Sequence, residues 1–270
     1  MRIAVYSANI GDYRNELSWI DNIDCISGVD YYFFTDANIT SRKWRIIRVG
    51  LQRSTKWLTS QRNTAKYCKW VVPDILRSYD VIVWVDSKVT KLLRKHKVAV
   101  NDKHYIDNIV ELLNSNRDKE LFFWKHPSRT HAREELALTM KTNMENKVPG
   151  ENLMKLLKHQ NFSIDLPDTC VWISRVSNKS VSFLEKVYTT LLTMGVSRDQ
   201  NIIQYCLEKS GMKGRTQIFR DRTSIFPTKA SKMTKMLKSS TAKPGIFSVG
   251  KTKSKIHVNK TGLGVTSRRN

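Results

Sequence analysis

Apolar residues in the first 220 positions fall into two alternating patterns: short unbroken runs, and stripes spaced by three and four. Arg2 to Ala8 (RIAVYSA) is a run that halts at Asn9-Ile10-Gly11-Asp12, as a buried parallel strand followed by a loop would. Asp30 to Thr35 (DYYFFT), ending at Asp36, predicts a second strand, and Trp44 to Val49 a third. Between Ser60 and Leu76 the stripe Ala65, Cys68, Val71, Val72 and Ile75 predicts a helix. Pro73 lacks an N–H, so this helix should kink or divide near Val72. Val81 to Val85 (VIVWV), five β-formers closed by Asp86-Ser87-Lys88, carries the strongest strand signal and reads as the central strand. Beyond it the patterns predict helices over Asp107–Ser115, Arg133–Met144, Glu151–His159, Ser180–Met194 and Gln200–Lys209, and strands over Glu120–Trp124 and Cys170–Ser174. Alternating strands and helices imply an α/β fold, Rossmann-like, with a mixed, mostly parallel sheet flanked by helices.

Composition adds a boundary. The 270 residues, 40% hydrophobic, can bury a core without staples. After Phe226 the chain turns to Lys, Ser, Thr and Gly, too poor in large apolar groups to offset the entropy of ordering. The expected division is one domain over 1–226 and a disordered basic tail over 227–270. That tail holds nine Lys, two Arg and no acid, which accounts for 11 of the net +23 and leaves +12 on the body. The body is therefore only moderately basic, which suits an enzyme binding a diphosphate as readily as a protein binding DNA, and the tail is a candidate for contact with an anionic surface. Cys25, Cys68, Cys170 and Cys206 show neither C-x-x-C nor Cys/His clustering, so free thiols are expected. The first ten residues are too short a run for a signal peptide and no window suggests a membrane span, so a cytoplasmic workplace is expected.

In open α/β sheets ligands gather beyond the carboxyl ends of strands. That rule selects Ala8 to Tyr13, Asp36, and Asp86 to Lys88. An acid directly after a fully apolar strand, beside a small residue and a lysine, suits gripping a phosphate through a cation or directly, although a solvated turn gives the same pattern. Other polar concentrations are His126-Pro127-Ser128-Arg129, Glu134-Glu135, Pro167-Asp168-Thr169 and Arg198-Asp199-Gln200. Singly, each has an ordinary reading: a loop histidine, a solvated helix face, a helix cap. Their gathering at strand ends and helix starts points to a site.

Here the sequence resembles a known family. The stretch from Lys66 to Val89 (KYCKWVVPDILRSYDVIVWVDSKV) is similar to a segment of glycosyltransferase-like proteins of plants, bacteria and viruses, with its Y-D-x-x-x-W-V-D-S-K core. Matches follow in the same order in YSANIGDY (Tyr6 to Tyr13), FFTD (Phe33 to Asp36), KHPSRTHAREE (Lys125 to Glu135), LPDTCVWISR (Leu166 to Arg175) and SRDQ (Ser197 to Gln200), so the resemblance spans about residues 3–208. Members of that family include the small cytosolic glycosyltransferases of large algal viruses, which decorate capsid glycans and adopt the GT-A fold.

The resemblance implies a nucleotide-sugar donor, UDP-linked, and a glycan or glycoprotein acceptor, in a host cytoplasm if the chain is viral. It would place Ala8, Asn9, Ile10 and Gly11 against base and ribose, with Gly11 permitting close backbone approach. Asp36 would contact the uracil, and Arg62 and Lys66 the diphosphate. Asp86 takes the place of the first acid of the D-x-D signature, but Lys88 stands where the second belongs. One carboxylate makes a weak site for Mn²⁺ or Mg²⁺; Lys88 itself could neutralise the leaving diphosphate, and His126 is a candidate second metal ligand. Candidates for the base that takes the acceptor proton are Asp168, Glu134, Glu135 and Asp199; Asp199 with Gln200 could instead hold donor hydroxyls. Two other classes fit parts of the sequence: a nucleic-acid-binding protein using its basic tail, and a non-catalytic glycan-binding domain on a degenerate transferase fold.

Overall fold

The computed structural model describes residues 1–22, 25–90 and 105–220. The expected tail lies outside them. Strands β1 (Ile3–Asn9), β2 (Val29–Thr35), β3 (Arg45–Arg48), β4 (Val81–Val85), β5 (Leu121–Lys125), β6 (Pro167–Arg175) and β7 (Thr216–Phe219) form one sheet in the order β3-β2-β1-β4-β6-β5-β7. The VIVWV strand is the middle one of the seven. β1 runs parallel to β2 and β4, β2 to β3, and β5 to β7, while β6 is antiparallel to both of its neighbours. The sheet is thus mixed and mostly parallel, as the alternation of elements predicts.

Helices α1 (Ser60–Trp70), α2 (Asp74–Arg77), α3 (Ser87–Thr90), α4 (Tyr105–Ser115), α5 (Ala132–Lys141), α6 (Lys147–Lys158), α7 (Asn178–Met194) and α8 (Ile203–Lys209) join the strands. The proline break separates α1 from α2, with Pro73 capping the latter. Four short elements were not signalled by periodicity: α3, strand β7, a 3-10 turn at Met212–Arg215, and the stretch Tyr13–Asn22, whose 3-10 geometry is interrupted at Arg14 and Asn15. The helix expected over Gln200–Lys209 divides into a 3-10 turn at Asp199–Asn201 and α8. No helix among the described residues is long and apolar enough to cross a membrane.

Alternation within the central strands feeds two cores, one on each face of the sheet. Ala4, Tyr6, Ile82 and Trp84 enter the first, with α1, α7 and α8; Ile3, Val5, Val81, Val83 and Val85 enter the second, with α4. A strand covered on both faces reads as a continuous apolar run, which is why β1 and β4 lack polar alternation.

Caps fix where the helices start. Thr59 Oγ1 accepts from Arg62 N at 3.4 Å at the head of α1, Ser177 and Ser180 form a capping box on α7, and Gly195 (φ +67) ends α7 in the left-handed conformation.

A candidate active site at the carboxyl edge of the sheet

Because β6 alone runs antiparallel, its amino end lies at the same edge as the carboxyl ends of β4 and β5. Trp124 pairs with Asp168, Lys125 with Pro167 and Val85 with Val171, and Asp86 N donates to Cys170 O at 2.8 Å. Topology thereby brings Asp86, Asp168 and His126 to one edge from three strands.

Beneath that edge lies an aromatic stack built from four elements. Tyr6 of β1 meets Trp84 of β4 edge-on at 5.1 Å between ring centroids, and Trp172 of β6 stacks on Trp70 of α1 at 5.6 Å. Two of its indole N–H groups aim upward at carboxylates: Trp84 Nε1 donates to Asp86 Oδ1 at 2.8 Å and Trp70 Nε1 to Asp199 Oδ2 at 3.0 Å. Rigid rings with a polar tip make good positioning groups.

Between the two carboxylates sits Lys69, a residue with no role in the sequence reading. Its ammonium is 2.7 Å from Asp199 Oδ2 and 3.4 Å from Asp86 Oδ1, and lies over the Trp70 and Trp84 rings at 5.3 and 5.5 Å. Lys66, one helical turn earlier, reaches Asp199 Oδ1 at 2.8 Å. The only sequence signal for Lys69 is this i, i+3 spacing, which puts both lysines on one face of α1.

Lys69 and Asp199 are almost fully buried, whereas about a quarter of the Asp86 side chain (24%) is exposed. Burial alone would raise the pKa of both aspartates. For Asp86, Lys69 and then Lys88 overcome it and hold the carboxyl below its usual range; for Asp199, Lys66 and Lys69 hold it far below. Burial likewise works against the charge on Lys69, but Asp199 and then Asp86 raise its pKa above the ordinary value. Lys88 is half-exposed at 3.6 Å from Asp86 Oδ2, a loose pairing that leaves ammonium hydrogens for a ligand. Its pKa too is raised against the effect of burial, chiefly by Asp86. The Cys170 thiol is pushed up by burial and then by Asp86 and Asp168, which keeps it neutral.

The loop after β1 is the other half of the edge. Gly11 has φ +69 and donates its N–H to Asp36 Oδ1 at 2.9 Å, tying the β1 and β2 ends together; a Cβ at Gly11 would stand 3.2 Å from Gln61 Cγ. Ala8 is buried in the sheet, and the Asn9 amide holds both backbone groups of Tyr13, accepting from its N–H at 2.9 Å and donating to its carbonyl at 3.2 Å. Asp12, Arg14 and Asn15 all have positive φ, a concentration of backbone strain that the tight loop imposes. The outcome is an exposed Tyr13 ring (55%) with the Arg14 guanidinium over it at 4.9 Å. Ser87 donates to the buried Glu16 carboxylate, fastening this loop to the Asp86 turn. Arg62 is exposed in the first turn of α1 and has no carboxylate partner among the described residues.

Several expected site residues have other employment. Glu134 Oε2 accepts from Thr130 N at 3.0 Å and His131 N at 3.4 Å, completing the capping box of α5. Glu135 is buried and bonded by Arg129, with Arg198 at 3.6 Å. Gln200 Nε2 donates to Pro167 O at 3.2 Å, and Asp168 Oδ1 accepts from Cys170 N at 2.9 Å.

The residues do not fit a divalent cation. His126 Nδ1 accepts from the N–H groups of Ser128 and Arg129 at 3.3 and 3.1 Å, and its Nε2 faces Arg129 at 3.2 Å. Burial, then Arg129, lowers the pKa of the ring. No contact joins His126 to Asp86 among the described residues, and Asp86 already has an ammonium beside each oxygen. A further cation there would be repelled. Two cavities lie away from these strand ends, one of about 590 Å³ lined by Glu185, Thr189 and Tyr205, the other of about 380 Å³ lined by Met140, Glu145 and Lys147.

No family model matches the sequence, and no curated protein is significantly similar to it. Solved structures with a similar fold include mouse xyloside xylosyltransferase 1 in its apo form, at 9% identity and a TM-score of 0.44 over 81% of this chain and 85% of that one. They include an active-site mutant of LgtC, at 9% identity and a TM-score of 0.43 over 80% and 72%. A glycosyltransferase involved in the glycosylation of the major capsid of PBCV-1 is similar at 9% identity and a TM-score of 0.38 over 82% of each chain. At such identities and scores the likenesses say nothing of chemistry, which has to come from the strand-end residues.

Proposed function

We propose that the protein is a glycosyltransferase that moves a sugar from a nucleotide-sugar donor, a UDP-sugar, to a hydroxyl of a glycan or glycoprotein, with lysines supplying the positive charge at the diphosphate. One observation carries the reading: a partly exposed carboxylate, Asp86, closes the central strand, held by an indole N–H and two ammonium groups, one buried (Lys69) and one half-exposed (Lys88). The six ordered sequence blocks support it, since Asp86, Asp168 and Asp199 each come from one of them.

In this scheme the exposed Tyr13 ring stacks on the base, and the Gly11 to Asp36 link shapes the wall beside it. Lys88, Lys66 and Arg62 bind the diphosphate. The acceptor oxygen bonds to the anomeric carbon as the bond from that carbon to the phosphate oxygen breaks, and the nucleoside diphosphate leaves with the electron pair. Lys88 stabilises the charge developing on it. Asp168, at the amino end of β6 beside Lys88, takes the acceptor proton. Asp199 is held too far below the usual range, and clamped too firmly between two lysines, to serve as a base; it positions Lys66.

The test is a panel of UDP- and GDP-sugars screened for a rise in melting temperature, followed by nucleoside diphosphate release with and without a chelator. A UDP-sugar should stabilise the protein and turn over equally in both conditions. If no donor stabilises it and none is hydrolysed or transferred, the reading fails.

A further inference from the structure

Between Asp36 and Asp74 the sequence contains nine Lys and Arg and no acid. This run lies in the folded body, and its charges divide by direction. Arg62, Lys66 and Lys69 belong to the edge described above, and Arg45 pairs with Asp30 at 2.7 Å. Arg48, at the end of β3, and Arg53 and Lys56, on the segment linking β3 to α1, are exposed, and none of them has a carboxylate partner among the described residues. In their midst stands Leu51, 48% exposed.

The segment is held firmly from within. Val49 N donates to Thr35 O at 2.9 Å, Gln52 N to Thr64 Oγ1 at 2.7 Å and Thr55 N to Leu58 O at 2.9 Å. Asn63 Nδ2 donates to Arg53 O at 2.7 Å and Asn146 Nδ2 to Trp57 O at 3.0 Å, while Leu58 is buried as an anchor. Lys56 lies over the Trp57 ring at 4.8 Å. Several backbone groups are thus held inward, and the exposed side chains of the segment are the three cations, Leu51 and the small hydroxyls of Ser54 and Thr55.

We propose that the segment 48–57 docks the protein on an anionic lipid surface, with Arg48, Arg53 and Lys56 at the headgroups and Leu51 inserted among the acyl carbons. Charge complementarity selects an anionic partner, and Leu51 selects between the possible ones. A lone exposed leucine is ordinary, but in the centre of unpaired cations it would hinder contact with a soluble polyanion and assist entry into a bilayer interface. The inference does not depend on the sugar-transfer reading.

The experiment is co-sedimentation of the full chain with vesicles of pure phosphatidylcholine, and with vesicles of roughly three parts phosphatidylcholine to one of phosphatidylserine. The basic tail is present throughout, so the comparison is between variants. Each surface cation should contribute about fivefold to partitioning, so the triple variant Arg48→Gln/Arg53→Gln/Lys56→Gln should bind the serine-containing vesicles about a hundredfold more weakly than the wild type. Leu51→Ser should lose severalfold, and all variants should melt like the wild type because they change only surface atoms. Unaltered binding by the triple variant would mean that the tail alone carries the contact, and would overturn the proposal. So would unaltered binding by Leu51→Ser, or a wild type that binds polyphosphate but not the vesicles, which would assign the segment to a polymer.

Discussion

Replacing Lys69 with methionine removes the cation on which both site carboxylates depend, while keeping much of the volume packed against Trp70 and Trp84. Lys69 and Asp199 are only 4% and 5% exposed. Removing one partner of a buried ion pair costs about 3–5 kcal/mol. The lower end applies, because Asp199 keeps Lys66 at 2.8 Å and the Trp70 N–H at 3.0 Å, and Asp86 keeps the Trp84 N–H at 2.8 Å. For a domain of this size, about 3 kcal/mol lowers the melting temperature by about 6–12 °C. Linkage adds a second signature. Asp199, with its folded pKa depressed, contributes stability that is complete above the unfolded aspartate value near ~4 and is lost as pH falls through the folded value. Lys69, with its pKa raised, contributes stability that is complete below about 10.4 and is lost as pH rises through its folded value. The gap between wild type and Lys69→Met should therefore be widest near neutrality and narrow toward pH ~3. Thermal unfolding followed by tryptophan fluorescence at the two pH values measures both. A melting temperature within about 2 °C of wild type at neutral pH, or a gap that does not narrow in acid, would refute the idea that Lys69 is the buried counter-charge.

Asp86→Asn should reduce nucleoside diphosphate release by about 10²-fold or more while the melting temperature changes little, because the amide keeps the shape but loses the pairing that orients Lys88; wild-type turnover would remove Asp86 from the site. Asp168→Asn should lower kcat with little change in KM, read from initial rates over a donor series, and an unchanged kcat would pass the role of base to another group. Glu134→Ala should cost about 0.5–2 kcal/mol in urea unfolding and leave turnover intact, since its carboxylate caps α5; lost turnover without lost stability would reverse that assignment. Gly195→Ala places a Cβ 2.3 Å from Trp57 Cδ1 at a φ of +67, so roughly 2–3 kcal/mol of destabilisation is expected in calorimetry, and a neutral result would show that the Trp57 ring moves freely.

The sequence by itself determined the class of the fold and the place of the strand ends. VIVWV is apolar at every position because both faces of β4 are covered, and the same pattern identified β1 and β2, while Pro73 marked the break after α1. These features are local: burial on one or both sides is written in the spacing of apolar residues. Local pattern does not record which strand of a mixed sheet is reversed, so nothing in the spacing marks β6 as the antiparallel one, and that reversal brings Asp168 to the edge where Asp86 lies. Nor does it separate a carboxylate that caps a helix from one that faces a ligand: Glu134 and Asp199 look alike in sequence, and only the fold assigns one to the α5 cap and the other to Lys66 and Lys69. Trp70 and Asp199 meet across a sequence separation of 129, and Lys69 becomes a buried counter-charge only when α1 lies against the ends of β4 and β6. A buried ionic network is fixed by three-dimensional proximity in a low-dielectric interior, which no spacing rule along a chain encodes.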